Sequence, residues 1–425
     1  MVGSCTLTYN QCMASPEQIA HLLRRTGFGI QPGRIRALQD SDIHDLIDER
    51  LADEGWSLSV EETTDRNFDD VRWDILPREW INQILSPNAG LHERMVWFWH
   101  NHFTTNRHET NHRLMWRQHQ LVRRNALGNV RDFAREIITD GAMLHYLDGD
   151  GSRGDSPNEN FSREFLELFM LGRNAGYTEQ DVRAGARILS GWQTDWETGE
   201  VEFHSEYHYS RPVLFLGKRQ RWDLDSYVAA VLDQPACAEH IAGRIHDYLT
   251  SVPLTDELRT GLANTLRSND WEIRPLISEI LHHDDFIGAA GRRTRQPIEW
   301  VAGAAAAFGL SEVETQGFDF WQMHQTGQVP FEPPNVAGWK DDERWSSATQ
   351  VMARGNSVLH WELGEQVINS LAPEPLAVLT HCGITDPSDS TLNALHEALD
   401  AQTEYDRGLE LLLAMSLLSP EFSTL

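Results

Sequence analysis

The chain has 425 residues, with 64 Asp and Glu against 36 Lys and Arg, a net charge of −28. An acidic balance this strong excludes nucleic acid and anionic membrane surfaces as partners, because both are recognised through basic patches; the length allows one large core or two to three smaller ones. No run of about 18 apolar residues occurs, and residues 1–16 carry neither a basic leader nor an apolar stretch, so a cytoplasmic protein without a membrane span is expected.

Cys5, Cys12, Cys237 and Cys382 show no C-x-x-C spacing and are too sparse to staple the chain, so free thiols are expected. Ser15-Pro16-Glu17 reads as an N-cap with proline at the first helical position, and Gly27-Phe28-Gly29 ends that helix. Residues 35–51 have helical period, 54–70 form an acidic loop, and 73–85 form a helix closed by Ser86-Pro87-Asn88-Ala89-Gly90.

The next helix, 91–103, is the most aromatic stretch and contains Trp97-Phe98-Trp99-His100-Asn101-His102-Phe103. His100 and His102 fall about 200° apart on a regular helix, so at most one of them reaches a given metal ion. His108, His112, Met115 and His119 share a helical spacing, and the arginines around them favour a solvated basic face over a metal pair. After a short helix at 131–139, residues 148–156 make a Gly- and Asp-rich loop that lacks the spacing and final Glu of a calcium loop.

Pro157 to Gly172 is the most contradictory segment of the chain. Phe161, Phe165, Leu168 and Phe169 form an apolar stripe at about 100° per residue, while Asn160, Glu164, Glu167 and Leu171 form a second stripe beside it. Glu164 and Glu167 therefore point the same way and need solvent, a cation or a metal. Arg163 and Arg173 stand ready to pair with them, and Arg183 and Arg187 of the following helix, begun by Thr178 with Asp181 three residues on, offer further neutralisation.

Residues 201–203 and 213–216 read as two strands of one small hairpin around a His-rich turn. Helical period returns over 226–249, 254–266, 273–286, 298–308, 352–371 and 391–418. Phe331 to Trp339, with two prolines and two small residues, reads as an ordered loop bordering a site. The fold class expected is mainly α: one large helical domain over 1–425, with an N-terminal part at 15–190, a β insertion at 191–225 and a C-terminal helical part at 226–425.

Five motifs in order, His21 to Gly29, Trp97 to Thr104, Pro157 to Glu164, Gly176 to Val182 and Pro333 to Trp339, resemble the DUF1800 family of bacterial proteins over nearly the whole chain. The resemblance implies a mostly helical unit and a possible DUF1501-like, sulfatase-related partner encoded beside it. Many relatives carry an export signal, from which residues 1–16 depart.

Three functional readings follow from the residues. In a metal-dependent enzyme, His100, His102, Glu164 and Glu167 supply ligands for Fe, Mn or Zn, and Arg163 or Arg187 holds an anionic substrate; neither Glu-x-x-His nor His-Glu-x-x-His occurs to make that set specific. In a metal-free acid–base enzyme, a buried Glu164 or Glu167 of raised pKa moves the proton. In a structural or partner-binding protein, the same Glu/Arg/His/Trp network locks helices together. The catalytic readings expect His100 or His102 within hydrogen-bonding reach of Glu164 or Glu167.

Overall fold

Side-chain caps start two helices, at Ser15 and Thr178, where the sequence places them. Ser15 accepts the Gln18 N–H at 3.2 Å while Gln18 accepts the Ser15 N–H at 2.9 Å, and Thr178 and Asp181 make the same reciprocal pair. Asp140 caps Gly141–Tyr146, accepting from Met143 N–H at 2.9 Å and from the Gln118 amide nitrogen Nε2 at 2.9 Å. The computed structural model describes residues 13–54, 75–291, 293–313, 318, 320–340, 343–402 and 405–425. It is 57% helical, and its strands are confined to two small antiparallel sheets among the described residues. Cys5, Cys12, the acidic 55–70 run and the start of the 73–85 helix lie outside the described residues; Cys237 and Cys382 are free and buried. Among the described residues no helix is long and apolar enough to cross a membrane.

The two expected strands exist, but they do not pair with each other. β1 (Trp192–Thr194) pairs with β2 (Val201–Phe203), and β3 (Val213–Phe215) pairs with β4 (Lys218–Gln220). Each strand takes its neighbour because a tight turn lies beside it. Asp195 receives the Gly199 N–H on its carbonyl at 2.7 Å in the first hairpin, and Leu216 and Gly217 both have positive φ (45° and 79°) in the second, as a two-residue hairpin turn requires. The segment between the two hairpins is left as a turn, and it carries the His-rich sequence.

One contiguous apolar cluster runs from Ala14 to Phe422. Through it passes a buried polar link between the aromatic helix, Leu91–His102, and the Ala-rich helix, Pro297–Phe308. Glu299, at the third position of the Ala-rich helix, is bound by Arg94 of the aromatic helix and by Arg293. Its second oxygen accepts the Gln296 N–H at 2.7 Å, and Gln296 in turn accepts from Trp97 Nε1 at 3.2 Å and Gln328 Nε2 at 2.8 Å. Although burial alone would raise the Glu299 pKa, Arg293 and Arg94 outweigh it and hold the carboxyl down at about 2.

Glu299→Gln keeps the shape but leaves two buried guanidiniums facing a neutral amide. Breaking a buried pair in this way costs on the order of 3 to 5 kcal/mol, so the variant is expected to unfold at distinctly lower urea concentration. A loss under about 1 kcal/mol would mean that water reaches the arginines.

Candidate functional site

The aromatic helix ends by gripping the proline-rich loop. His100 Nε2 accepts the Phe331 N–H at 3.1 Å; Asn101 donates to Trp339 O at 3.0 Å and accepts the Trp339 N–H at 2.7 Å. The Thr104 hydroxyl donates to Val336 O, and Asn106 Nδ2 donates to Pro333 O at 3.0 Å. A loop with two prolines cannot satisfy its own backbone in a ladder, so the side chains of the preceding motif do so. The approach is close enough that a Cβ on Gly338 would sit 2.6 Å from Asn101 O.

The central segment is α-helical only over Asn160–Glu164; Phe165–Met170 is a π-helix, closed by the Leu171 N–H on Leu166 O at 2.9 Å. A π-turn is wider than an α-turn, so three residues sweep less angle and the shared stripe of Glu164 and Glu167 opens. Glu167 faces a cleft. Glu164 is half-buried and is not one of that cleft's walls; burial first, and the Glu167 charge second, push its pKa up.

The last carbonyls of the π-helix have no partner within the helix and are taken by two histidines. His102 Nε2–H donates to Phe169 O at 2.8 Å and His240 Nε2–H to Leu168 O at 2.9 Å, with the two rings 6.1 Å apart. Burial, reinforced by the nearby Arg244 charge, lowers both pKa values, so each ring is neutral with its proton on Nε2 and its lone pair on Nδ1. Gly172 allows this arrangement twice over: its φ is +86°, and a Cβ there would lie 2.9 Å from His240 Nδ1.

These elements enclose a cleft of about 470 Å³ between the π-helix, the helix Pro235–Thr250, the end of the aromatic helix and the loop at 336–340. Its walls include His102, Glu167, Arg173, His240, Arg244, Asp247, Trp339 and Lys340. Arg173 Nε pairs with Glu167 at 2.9 Å. Arg244 and Lys340 are exposed and have no hydrogen-bond or ion-pair partner for their side chains among the described residues.

Of the residues singled out from sequence, the structure gathers His102 and Glu167 in this cleft. His100 is engaged elsewhere, fully buried among Trp80, Trp97 and Phe331 with its Nε2 lone pair occupied. Arg163 turns away to Glu179 at 2.7 Å and Glu159 at 3.4 Å, and Arg183 also joins Glu159, at 3.4 Å. Arg187 lies over the Tyr209 ring. His108 stands outside the helix that begins at His112, so the four-residue histidine face does not form; Asn111 caps that helix instead. Among the described residues no three His, Cys, Asp or Glu side chains converge as a metal site requires. Sequence reasoning passed over His240, Arg244 and Asp247, which sit in an ordinary amphipathic helix. For Lys340 a signal existed: it is one of two lysines in the chain and directly follows the proline-rich loop.

A family model described as "Protein of unknown function (DUF1800)" matches residues 21–424. No curated protein and no solved structure matches the chain.

Acid should weaken the fold through its buried histidines. Burial lowers the pKa of His21 and of His100 to about 3, and holds His102 and His119 well below the usual value. An unfolded histidine takes up its proton near 6.5, so between that pH and about 3 the unfolded chain binds protons that the folded protein refuses, and stability falls as pH falls. Asp140, raised by burial to about 7, and Glu164, raised by burial and the Glu167 charge, act in the opposite sense, two groups against these four histidines. The melting temperature is expected to drop on acidification from pH 7 to pH 5; a rise would contradict the neutral assignment.

Gly172→Ala introduces a Cβ against His240 and a strained positive φ. It is expected to destabilise the protein by roughly 1 to 3 kcal/mol, with faster amide exchange at the end of the π-helix. His240→Phe, which removes the donor to Leu168 O without that strain, should reproduce the exchange effect.

Proposed function

Since the chain belongs to the DUF1800 family, whose description assigns no activity, function has to be argued from the cleft, and we propose that it binds a small organic anion there and acts on it by metal-free proton transfer. The observation that carries this reading is the pair of unpartnered cations, Arg244 and Lys340, facing a half-buried carboxylate in a chain of net charge −28. Acidic side chains outnumber basic ones 64 to 36, and two cations left without a carboxylate on the walls of one cleft are available to an anionic ligand there.

Glu167 is the proton-transfer group of the reading. It faces the cleft, and its ion pair with Arg173 fixes its direction. Glu164, which is not one of the cleft's walls, is the group whose environment favours the protonated form. Trp339, Tyr248 and Phe98 supply apolar wall for the ligand's carbon skeleton. Metal chemistry is less favoured because among the described residues no three His, Cys, Asp or Glu side chains converge as a ligand set. A DUF1501-like partner, implied by the sequence resemblance, belongs to this proposal as a second protein and is tested by co-purification of the two chains.

A thermal-shift panel of mono- and dicarboxylates and phosphate esters, each beside a neutral amide or alcohol analogue, tests the reading. Anions alone should stabilise, less so at high salt. Arg244→Ala should weaken a hit about 10-fold, equivalent to roughly 1.4 kcal/mol, and leave the unliganded melting temperature unchanged. Glu167→Gln should retain binding and abolish turnover of any hit that reacts. Equal response to the neutral analogues would sink the proposal.

A further inference from the structure

A second hollow, of about 400 Å³, lies between the loop at 153–155, the C-terminal end of the helix Glu179–Ile188 and the His-rich turn at 206–211. Arg153, Arg187 and Arg211 line it. The Arg153 guanidinium lies 3.9 Å from the centroid of the Tyr207 ring, and that of Arg187 lies 5.5 Å from the Tyr209 centroid. A guanidinium laid on a ring spends one face on the π-system, keeps its in-plane N–H donors for a ligand, and has less freedom to lose on binding.

Two carboxylates are also present, and both are occupied. Asp155 stands 3.8 Å from Arg153, and Glu206 stands 3.5 Å from His204. Arg187 and Arg211 have no carboxylate partner among the described residues. The cradle is built before any ligand arrives: Gly154 N–H donates to Tyr207 O at 2.8 Å, Gly191 N–H to Ser152 O at 2.9 Å, and Tyr209 N–H to Ser190 Oγ at 3.1 Å. A Cβ on Gly154 would lie 2.6 Å from the Tyr209 nitrogen, so the two strands of chain meet as closely as backbone permits.

We propose that this hollow binds a tetrahedral oxyanion, a phosphate or sulfate group that is either free or at the end of a small molecule. One carboxylate saturates a single guanidinium fork with its two oxygens, whereas three terminal oxygens on one centre serve two or three forks together. The site is separate from the cleft proposed above and uses none of its residues.

Calorimetric titration of the full chain with inorganic phosphate, inorganic sulfate, phenyl phosphate and acetate tests it, run in parallel on Arg187→Ala, Arg211→Ala and Arg244→Ala. Phosphate or sulfate is expected to bind saturably, acetate at least about 10-fold more weakly, and each hollow variant about 10-fold more weakly than the unchanged protein. The Arg244→Ala variant should bind as well as the parent, which places the event outside the cleft. Tighter binding of phenyl phosphate than of the free ions identifies an ester as the ligand; equal binding identifies the free ion. The inference is overturned if neither ion saturates the protein, if acetate binds as well as phosphate, or if Arg244→Ala alone removes binding. Both hollow arginines are exposed, so a variant with an unchanged melting temperature separates lost binding from lost folding.

Discussion

The buried carboxylate of Glu299 is the point on which the arrangement depends. It begins the Ala-rich helix as a capping residue, and it receives Arg94 from the first turn of the aromatic helix and Arg293 from the chain just before its own helix. Two helices 205 residues apart in sequence at this contact are thereby held at fixed rotation, because a desolvated charge tolerates little displacement from its partners. Trp97 extends the link through Gln296. The aromatic helix, pinned at Arg94, can then present His100 and Asn101 to the loop and His102 to the π-helix with no freedom left to roll.

Downstream of that anchor, the π-helix creates the cleft. An i to i+5 turn in the middle of an otherwise apolar helix gives up hydrogen-bonding economy, and in exchange leaves Leu168 O and Phe169 O pointing outward, where His240 and His102 collect them. The same two bonds fix both imidazole tautomers and join the helix Pro235–Thr250 to the aromatic helix across the cleft floor. Polarity there is tightly organised, since every buried donor placed against the helix end has a named acceptor.

Charge is distributed against the average of the chain in two places. The cleft and the arginine–tyrosine hollow each hold three basic side chains, Arg173, Arg244 and Lys340 in one and Arg153, Arg187 and Arg211 in the other. On a molecule of net charge −28, such local inversions favour an anion at these two places, while the remaining surface repels it. Aromatic rings line both hollows, Trp339 and Tyr248 the first, Tyr207 and Tyr209 the second, and in the second Arg153 and Arg187 lie over them.

The sequence by itself determined the helical class, the caps at Ser15 and Thr178, the existence of strands near 201 and 213, and the ordered loop at 331–339, because periodicity, capping residues and proline act within a few residues of one another; the ranges 35–51, 226–249, 273–286, 352–371 and 391–418 each hold two helices instead of one. It also pointed to Glu167 and His102, since polar groups in apolar stripes stand out locally. It did not reveal the π-turn, which has no compositional mark and which broke the stripe shared by Glu164 and Glu167. Nor did it reveal which strand pairs with which, that His100 serves the loop while His102 serves the π-helix, or that His240, Arg244 and Lys340 complete the cleft. Those outcomes were decided only by tertiary structure, for one physical reason: a buried polar group takes whichever partner packing brings within about 3 Å, and residues more than 60 positions apart in the chain carry no local record of that meeting.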